Sequence, residues 1–266
     1  MNAWTLVILG CGTVGFWVTQ ALTRSPAANR LMRLVLCDRG RIRKHNAITC
    51  PSYAGHIGRL KCERLAELVS PRLKDTPVQV IAGYVEQLDW SSIVSCEPSI
   101  EHKTTFVLVG LDVWQSRLAV AEDLRHYAET SGDAAVMIQV GLDKGQAQIC
   151  VFASRWEDPC PACGKLTLPE PQPCVVFSAG QELLRGNLCR EGQAAARWVR
   201  RMVEDELRST TAGHWMNTKT NLVLDRHSRL SRACRRVEGC RGPHARATPL
   251  RWDTFLQPLE RKEQHP

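Results

Sequence analysis

Apolar runs alternate with segments of helical periodicity through the first 153 residues of the chain. The apolar runs predict strands over 4–10, 30–38, 77–85, 104–112, 135–142 and 145–153. Apolar residues at three- and four-residue spacing predict helices over 13–24, 58–73 and 114–132. This alternation, which ends in two successive strands, predicts an α/β fold. We expect a Rossmann-like, doubly wound and mostly parallel sheet with an antiparallel extension.

Two stretches depart from this alternation. Residues 39–58 show neither periodicity and include Pro51, so a long loop is expected there. After Ala153 a stretch rich in proline and cysteine runs to about residue 175. A helix is then predicted over 191–208, followed by two short strands and a polar tail. We therefore interpret 1–153 as the core and 154–266 as a second part of the same domain.

The chain carries 35 basic and 27 acidic residues, and its formal net charge of +8 is unevenly distributed. Arginine-rich segments crowd the C-terminal third, which indicates either a solvated basic face or a surface for an acidic partner. No specific nucleic-acid ligand is expected. No run of eighteen apolar residues occurs, so we expect no membrane span and a cytoplasmic location.

The first predicted strand leads into a G-x-G-x-x-G turn formed by Gly10, Gly12 and Gly15. Such glycines allow a tight turn and a close approach of the backbone to phosphates at a helix N-terminus. Asp38 ends the second strand, where an acidic side chain can bind ribose hydroxyls. Taken alone, these features predict an NAD(P)-dependent oxidoreductase.

Further residues favour a triphosphate. Asn46 lies eight positions after Asp38, in a loop that also contains Arg41, and Lys61 opens the next predicted helix. Asp112 ends a later strand and is followed by Arg117. A carboxylate at a strand end suits Mg²⁺ beside a triphosphate, and basic side chains suit its negative charge.

With these spacings the chain resembles the ThiF/MoeB family, which includes the adenylation domains of ubiquitin-activating enzymes. The resemblance covers residues 5–240 and includes the glycine turn, the acid and asparagine eight residues apart, the G-x-x-K helix start, and the aspartate–arginine pair. The segment Val136–Phe152, "VMIQVGLDKGQAQICVF", matches the family's strand pair.

The resemblance implies ATP-dependent adenylation of the C-terminal glycine carboxylate of a ubiquitin-like or sulfur-carrier protein. In that reaction Asp38 would bind the ribose, Asn46 would lie near the α-phosphate, and Asp112 would hold Mg²⁺. Lys61 would neutralise the departing pyrophosphate. Arg41 and Arg117 complete the set of basic candidates.

One position departs from the family's N-x-x-R-Q motif, because Thr49 stands where the arginine is expected. A weakly active relative that only scaffolds the carrier is therefore a third hypothesis. The short form favours the stand-alone activating enzymes of bacterial ubiquitin-like conjugation systems, some of them in antiviral defence. A conjugating enzyme would then be a further partner. The family also implies a homodimer.

The chain has twelve cysteines, which in a cytosolic protein indicate packing, metal binding or a reactive thiol. Two pairs, Cys160 with Cys163 and Cys234 with Cys240, have the spacing of a structural Zn²⁺ site, with His244 as an alternative to Cys240. Family members that bind zinc have pairs at similar separation. Unconnected thiols or a redox C-x-x-C are the alternatives.

Some family members also transfer the activated carrier to a cysteine of the crossover loop. Cys174 lies in a proline-rich segment at that position and is the first candidate. Cys189 is the second, because it precedes the predicted helix and neighbours Arg190, which would lower its pKa. The alternative is that both are buried free thiols and the enzyme only adenylates.

Overall fold

The computed structural model describes residues 3–94, 104–131, 135–143, 146–153, 182–208, 220–224 and 229–233. Within these ranges the strands are β1 Trp4–Leu9, β2 Leu31–Cys37, β3 Val78–Ile81, β4 Thr104–Val109, β5 Ala135–Asp143, β6 Gln146–Ala153, β7 Thr220–Leu224 and β8 Arg229–Ala233. The α-helices are α1 Thr13–Leu22, α2 Lys44–Thr49, α3 Lys61–Val69, α4 Trp90–Val94, α5 Trp114–Ser131 and α6 Glu182–Arg208.

All of these strands belong to one sheet, in the order β3-β2-β1-β4-β5-β6-β7-β8. Neighbours from β3 to β5 run parallel, whereas β6, β7 and β8 pair antiparallel. In β1, Leu6 is opposite Leu34 of β2 and Phe106 of β4. The five parallel strands agree with the predicted Rossmann-like α/β fold.

Both faces of the central strands β1 and β4 are apolar and buried, which is why their predicted runs were nearly continuous. Trp4, Leu6 and Ile8 of β1 belong to the core cluster that includes α1, α3 and α6. Val7 and Leu9 belong to the cluster formed with α4 and α5. Each fully buried side chain of this kind contributes about 1.5–3 kcal/mol of transfer free energy. The central strands are therefore anchored from both sides.

The predicted loop over 39–58 contains a helix that periodicity did not reveal. Six residues form α2, and its start is fixed by the Asn46 side chain, whose Oδ1 accepts a hydrogen bond from Arg43 N at 2.9 Å. The final helix begins at Glu182 rather than near 191. Local hydrogen bonds decide such boundaries more than apolar spacing does. None of the described helices is long and apolar enough to cross a bilayer.

The glycine turn between β1 and α1 leaves no room for side chains at two positions. Gly10 has φ +94°, which is the left-handed region, and its N–H donates to Cys37 O at 2.9 Å. A Cβ at Gly15 would lie 1.9 Å from Gly10 O, whereas a Cβ at Gly12 would have nothing within 4 Å. The strand and the helix therefore approach each other closely only because residue 15 is glycine.

Gly15→Ala is expected to lower the free energy of unfolding by about 3 kcal/mol or more, because the turn must open to admit a methyl group. Thermal or urea unfolding measures the loss. Gly12→Ala, a change of the same size three residues away, is the control and should unfold like the wild type. Equal stability of the two variants would contradict the close packing of the turn.

Candidate functional site

The chain changes direction across the sheet at the carboxyl ends of β1 and β4. From β1 it runs outward to β2 and β3, then returns to the other side of β1 to form β4. A crevice opens at such a point, and ligands of open α/β sheets bind there. The glycine turn follows β1, Asp38 follows β2, and Asp112 follows β4. The fold thus brings the predicted site residues to one edge of the sheet.

The Asp38 carboxylate holds the glycine turn to the loop after β2. Its Oδ2 accepts a hydrogen bond from Cys11 N at 2.7 Å, and its Oδ1 accepts one from Gly40 N at 2.6 Å. The side chain is 11% exposed. Hydrogen bonds from backbone N–H groups to an ionised acceptor are stronger than neutral ones. Asp38 therefore fixes the shape of the crevice and still presents an edge to solvent.

Lys61 lies beside this carboxylate, as the first residue of α3. Its Nζ is 3.6 Å from Asp38 Oδ2, and its N–H donates to Gly40 O at 3.0 Å. A Cβ at Gly40 would come within 2.8 Å of Lys61 Nζ. Because Gly40 has no side chain, the ammonium group of Lys61 can occupy this position at the crevice without a steric clash.

Tyr53 contacts the same elements from the buried side. Its hydroxyl donates to Cys11 O at 2.9 Å and lies 3.3 Å from Lys61 O. The ring packs edge-on against Phe16 of α1, with centroids 5.1 Å apart. Sequence reasoning missed Tyr53 because it falls in the segment without periodicity, next to Pro51. No sequence signal identifies it.

The helix α2 carries two residues singled out from the sequence. Asn46 is buried, and its side-chain oxygen is occupied by the helix-start hydrogen bond with Arg43 N. Thr49, at the position of the family's arginine, is also buried and accepts a hydrogen bond from Thr13 Oγ1 at 2.9 Å. Trp17 Nε1 donates to Thr49 O at 2.9 Å. Residue 49 thus joins α2 to the first turns of α1.

The remaining basic and acidic candidates occupy different environments. Asp112 is exposed beyond the end of β4. Arg117 is buried in the first turn of α5, where its Nε donates to Leu111 O at 2.7 Å, so it supports the loop that carries Asp112. Arg41 is exposed, and its Nη1 donates to Gly58 O at 2.8 Å.

Three cysteines near Asp38 are packing residues. Cys11, Cys37 and Cys62 are fully buried, and burial raises the pKa of each thiol. Cys62 Sγ donates to Asp38 O at 3.0 Å. Thiols with raised pKa values stay protonated at neutral pH and are poor nucleophiles.

The prediction that Cys189 has a lowered pKa at a helix start is wrong. This residue lies inside α6 and not before a helix N-terminus. Burial raises the pKa of the Cys189 thiol, against smaller opposing effects of Arg190 and a hydrogen bond with Trp17. An interior position gives the thiol no benefit from the positive end of the helix dipole.

The other cysteine predictions fall outside the described residues. These are the acceptor candidate Cys174 and the zinc candidates Cys160, Cys163, Cys234 and Cys240, with their alternative His244. In the part of the chain that the structure describes, no group of three or more His, Cys, Asp or Glu side chains could hold a metal ion.

The sequence matches no protein-family model and no curated protein sequence. Among solved structures, the fold is similar to that of the microcin C7 biosynthetic enzyme MccB in complex with N-formylated MccA. The TM-score is 0.60 at 15% identity, over 90% of this chain and 67% of MccB. E. coli MccB with ATP gives a TM-score of 0.56 at 16% identity, over 90% of this chain and 66% of MccB.

The protein PaaA is also similar, with a TM-score of 0.52 at 12% identity, over 86% of this chain and 71% of PaaA. The chain spans about two thirds of the length of the MccB structures that it matches. At these identities the likeness establishes a shared fold.

Proposed function

We propose that the chain binds ATP in this crevice and adenylates the C-terminal carboxylate of a peptide or protein. The observation that carries the proposal is the position of Lys61, whose ammonium group lies 3.6 Å from the ribose-binding candidate Asp38 beside the glycine turn. Solved MccB structures hold ATP, and others hold the peptide MccA. The ThiF/MoeB resemblance of the sequence supports the same reaction class.

In the proposed reaction a carboxylate oxygen of the substrate attacks the α-phosphorus of ATP. A new bond joins this oxygen to the α-phosphorus, and the bond between the α-phosphorus and the oxygen that bridges it to the β-phosphate breaks. Pyrophosphate leaves with the electron pair of the broken bond. Asp38 accepts hydrogen bonds from ribose hydroxyls, and the glycine turn with the start of α1 faces the phosphates. Lys61 neutralises charge that accumulates on pyrophosphate.

Mg²⁺ is expected to accompany the triphosphate. Asp112 fits this ion, because Mg²⁺ in nucleotide sites is bound through one or two carboxylates together with phosphate oxygens and water. Asp112 is exposed beyond the end of β4. When bound, the ion would offset negative charge on the phosphates. Arg117 would act through Leu111, by holding the loop of Asp112.

The substrate proposed from the sequence is a ubiquitin-like or sulfur-carrier protein that ends in glycine. A short peptide is the alternative that the MccB structures with MccA suggest. We also propose a homodimer, a conjugating enzyme as a further partner, and a place in a bacterial ubiquitin-like conjugation system with a defence role. These finer proposals rest on the resemblance.

Lys61→Ala is expected to reduce ATP–pyrophosphate exchange by about 100-fold or more, because the departing pyrophosphate loses its cation. Asp112→Ala should reduce it similarly, and both variants should keep the wild-type circular dichroism spectrum. Exchange is measured with a carrier ending in Gly-Gly and, separately, with a short peptide. Lys74→Ala, an exposed lysine beyond α3, is the matched control.

The wild-type experiment can also refute the proposal. If the protein gives no exchange with either substrate but binds NAD(H), the adenylation proposal fails in favour of the oxidoreductase hypothesis. ATP binding without exchange would instead favour the scaffold hypothesis that Thr49 raises.

We further propose that Cys174 receives the activated carrier. Burial raises the pKa of the Cys189 thiol, which makes it a poor nucleophile, so Cys174 stays the first candidate. Cys174→Ala should therefore retain exchange and lose a DTT-sensitive adduct with the carrier, as seen on non-reducing gels. Cys189→Ala is the matched control and should keep the adduct. An adduct that survives Cys174→Ala but disappears in Cys189→Ala would reverse the assignment.

A structural Zn²⁺ bound by Cys160, Cys163, Cys234 and Cys240 is proposed from their spacing. Thiolate ligands would fit this ion, and its loss should lower the melting temperature. Elemental analysis of the purified chain should find about one zinc per molecule, reduced in the double variant Cys160→Ser/Cys163→Ser. The control Cys11→Ser changes a buried thiol outside the proposed ligand set. Full zinc content in the double variant would contradict the assignment.

A further inference from the structure

Tyr53 is a buried tyrosine outside the set of candidate residues, yet it contacts the two backbone segments that form the crevice. It closes the short 3-10 turn Pro51–Tyr53, where its N–H donates to Cys50 O at 2.8 Å. Its hydroxyl donates to Cys11 O at 2.9 Å in the glycine turn. The same oxygen lies 3.3 Å from Lys61 O at the start of α3.

The two peptide groups on either side of the Cys11 α-carbon are each fixed by a hydrogen bond to a different side chain. The N–H of Cys11 points to Asp38, and its carbonyl oxygen points to Tyr53. In a trans peptide the carbonyl and the following N–H point in opposite directions. The carbonyl of Cys11 and the N–H of Gly12 belong to one such group. A carbonyl directed to the buried Tyr53 therefore turns the Gly12 N–H away from the core.

Gly12 also lies beside open space. A Cβ built on Gly12 would meet nothing within 4 Å, whereas one on Gly10 or Gly15 would collide with backbone. Gly12 immediately precedes α1, and its carbonyl accepts the first helical hydrogen bond, from Phe16 N at 2.8 Å. Gly12 thus lies at the positive end of α1, with open space where a Cβ on it would stand.

We propose that Tyr53 is a positioning residue for nucleotide phosphates: by holding Cys11 O, its hydroxyl aims the Gly12 N–H at a phosphate oxygen. This inference rests on the proposed function, because it takes the phosphates of bound ATP as the ligand. The hydroxyl has one proton, so its 3.3 Å approach to Lys61 O is secondary to the shorter bond with Cys11 O.

Two physical features suit Tyr53 to this role. Burial raises the pKa of Tyr53 far above its usual range, so the hydroxyl stays a neutral donor across physiological pH. The ring is fixed independently of the hydroxyl, because it packs against Phe16 with an interplanar angle of 69°. Phenylalanine at residue 53 would keep the ring contact and remove only the hydrogen bond.

Tyr53→Phe is expected to weaken ATP binding about tenfold while leaving adenosine binding within about twofold of the wild type. Adenosine contacts Asp38 through its ribose but has no phosphate, so it reports the rest of the site. Isothermal titration calorimetry measures both affinities. Tyr127→Phe, which removes a hydroxyl from a buried tyrosine of α5 on the other face of the sheet, is the matched control and should bind both ligands normally.

Unchanged ATP affinity in Tyr53→Phe would overturn the inference, and so would an equal loss of ATP and adenosine affinity, since that marks a general structural defect. A wild-type chain that binds neither ligand would refute the proposed function and the inference with it. These outcomes separate the two failures.

A second measurement needs no variant. In the wild-type chain labelled with ¹⁵N-glycine, the Gly12 amide resonance should shift when ATP is added and stay in place when adenosine is added. The Gly40 amide, which donates to Asp38, is the internal reference and should respond to both ligands. A Gly12 resonance that ignores ATP, in a chain that binds ATP, would overturn the inference even if Tyr53→Phe failed to fold.

Discussion

The site depends on the Asp38 carboxylate, because this one side chain joins segments that are far apart in sequence. Its two oxygens accept hydrogen bonds from Cys11 N in the glycine turn and from Gly40 N in the next loop. The ammonium group of Lys61 lies 3.6 Å away. Hydrogen bonds to an ionised carboxylate are stronger than those between neutral groups. The turn, the loop and the start of α3 therefore take up one common geometry around a single negative charge.

This arrangement leaves the carboxylate able to bind a ligand as well. An ionised carboxylate offers about four lone-pair sites, and the two backbone N–H groups occupy half of that capacity. The exposed edge of Asp38 has lone pairs left to accept hydrogen bonds from the hydroxyl groups of a ligand. Among the groups that contact this carboxylate, the Lys61 side chain is the one that can move. A flexible ammonium group can turn from Asp38 to phosphate oxygens without disturbing the backbone bonds, whereas a fixed guanidinium would adapt less readily.

The features that sequence predicted are those that periodicity and spacing encode. The apolar runs predicted the five parallel strands, and the glycine spacing with Asp38 and Lys61 predicted residues that the fold brings to one edge. The helix α2 was missed because it has six residues and begins with a local hydrogen bond of Asn46. Tyr53 was missed because only the folded chain brings it to Cys11, forty-two residues away in sequence. The environment of Cys189 was misjudged because the start of α6 was placed too late.

The glycine turn by itself suits either a dinucleotide or ATP, and the charges around it favour the proposed ATP. A dinucleotide would extend from Asp38 across β1 and β4 and place its second ribose and nicotinamide beyond the end of β4. There the chain presents the exposed carboxylate of Asp112, held by Arg117 through Leu111. A carboxylate at that position suits the metal ion that accompanies a triphosphate. With Lys61 beside Asp38 on the other side of β1, the proposed site would have a cation for the leaving pyrophosphate and an anion for its metal, the charge pattern expected of nucleotidyl transfer.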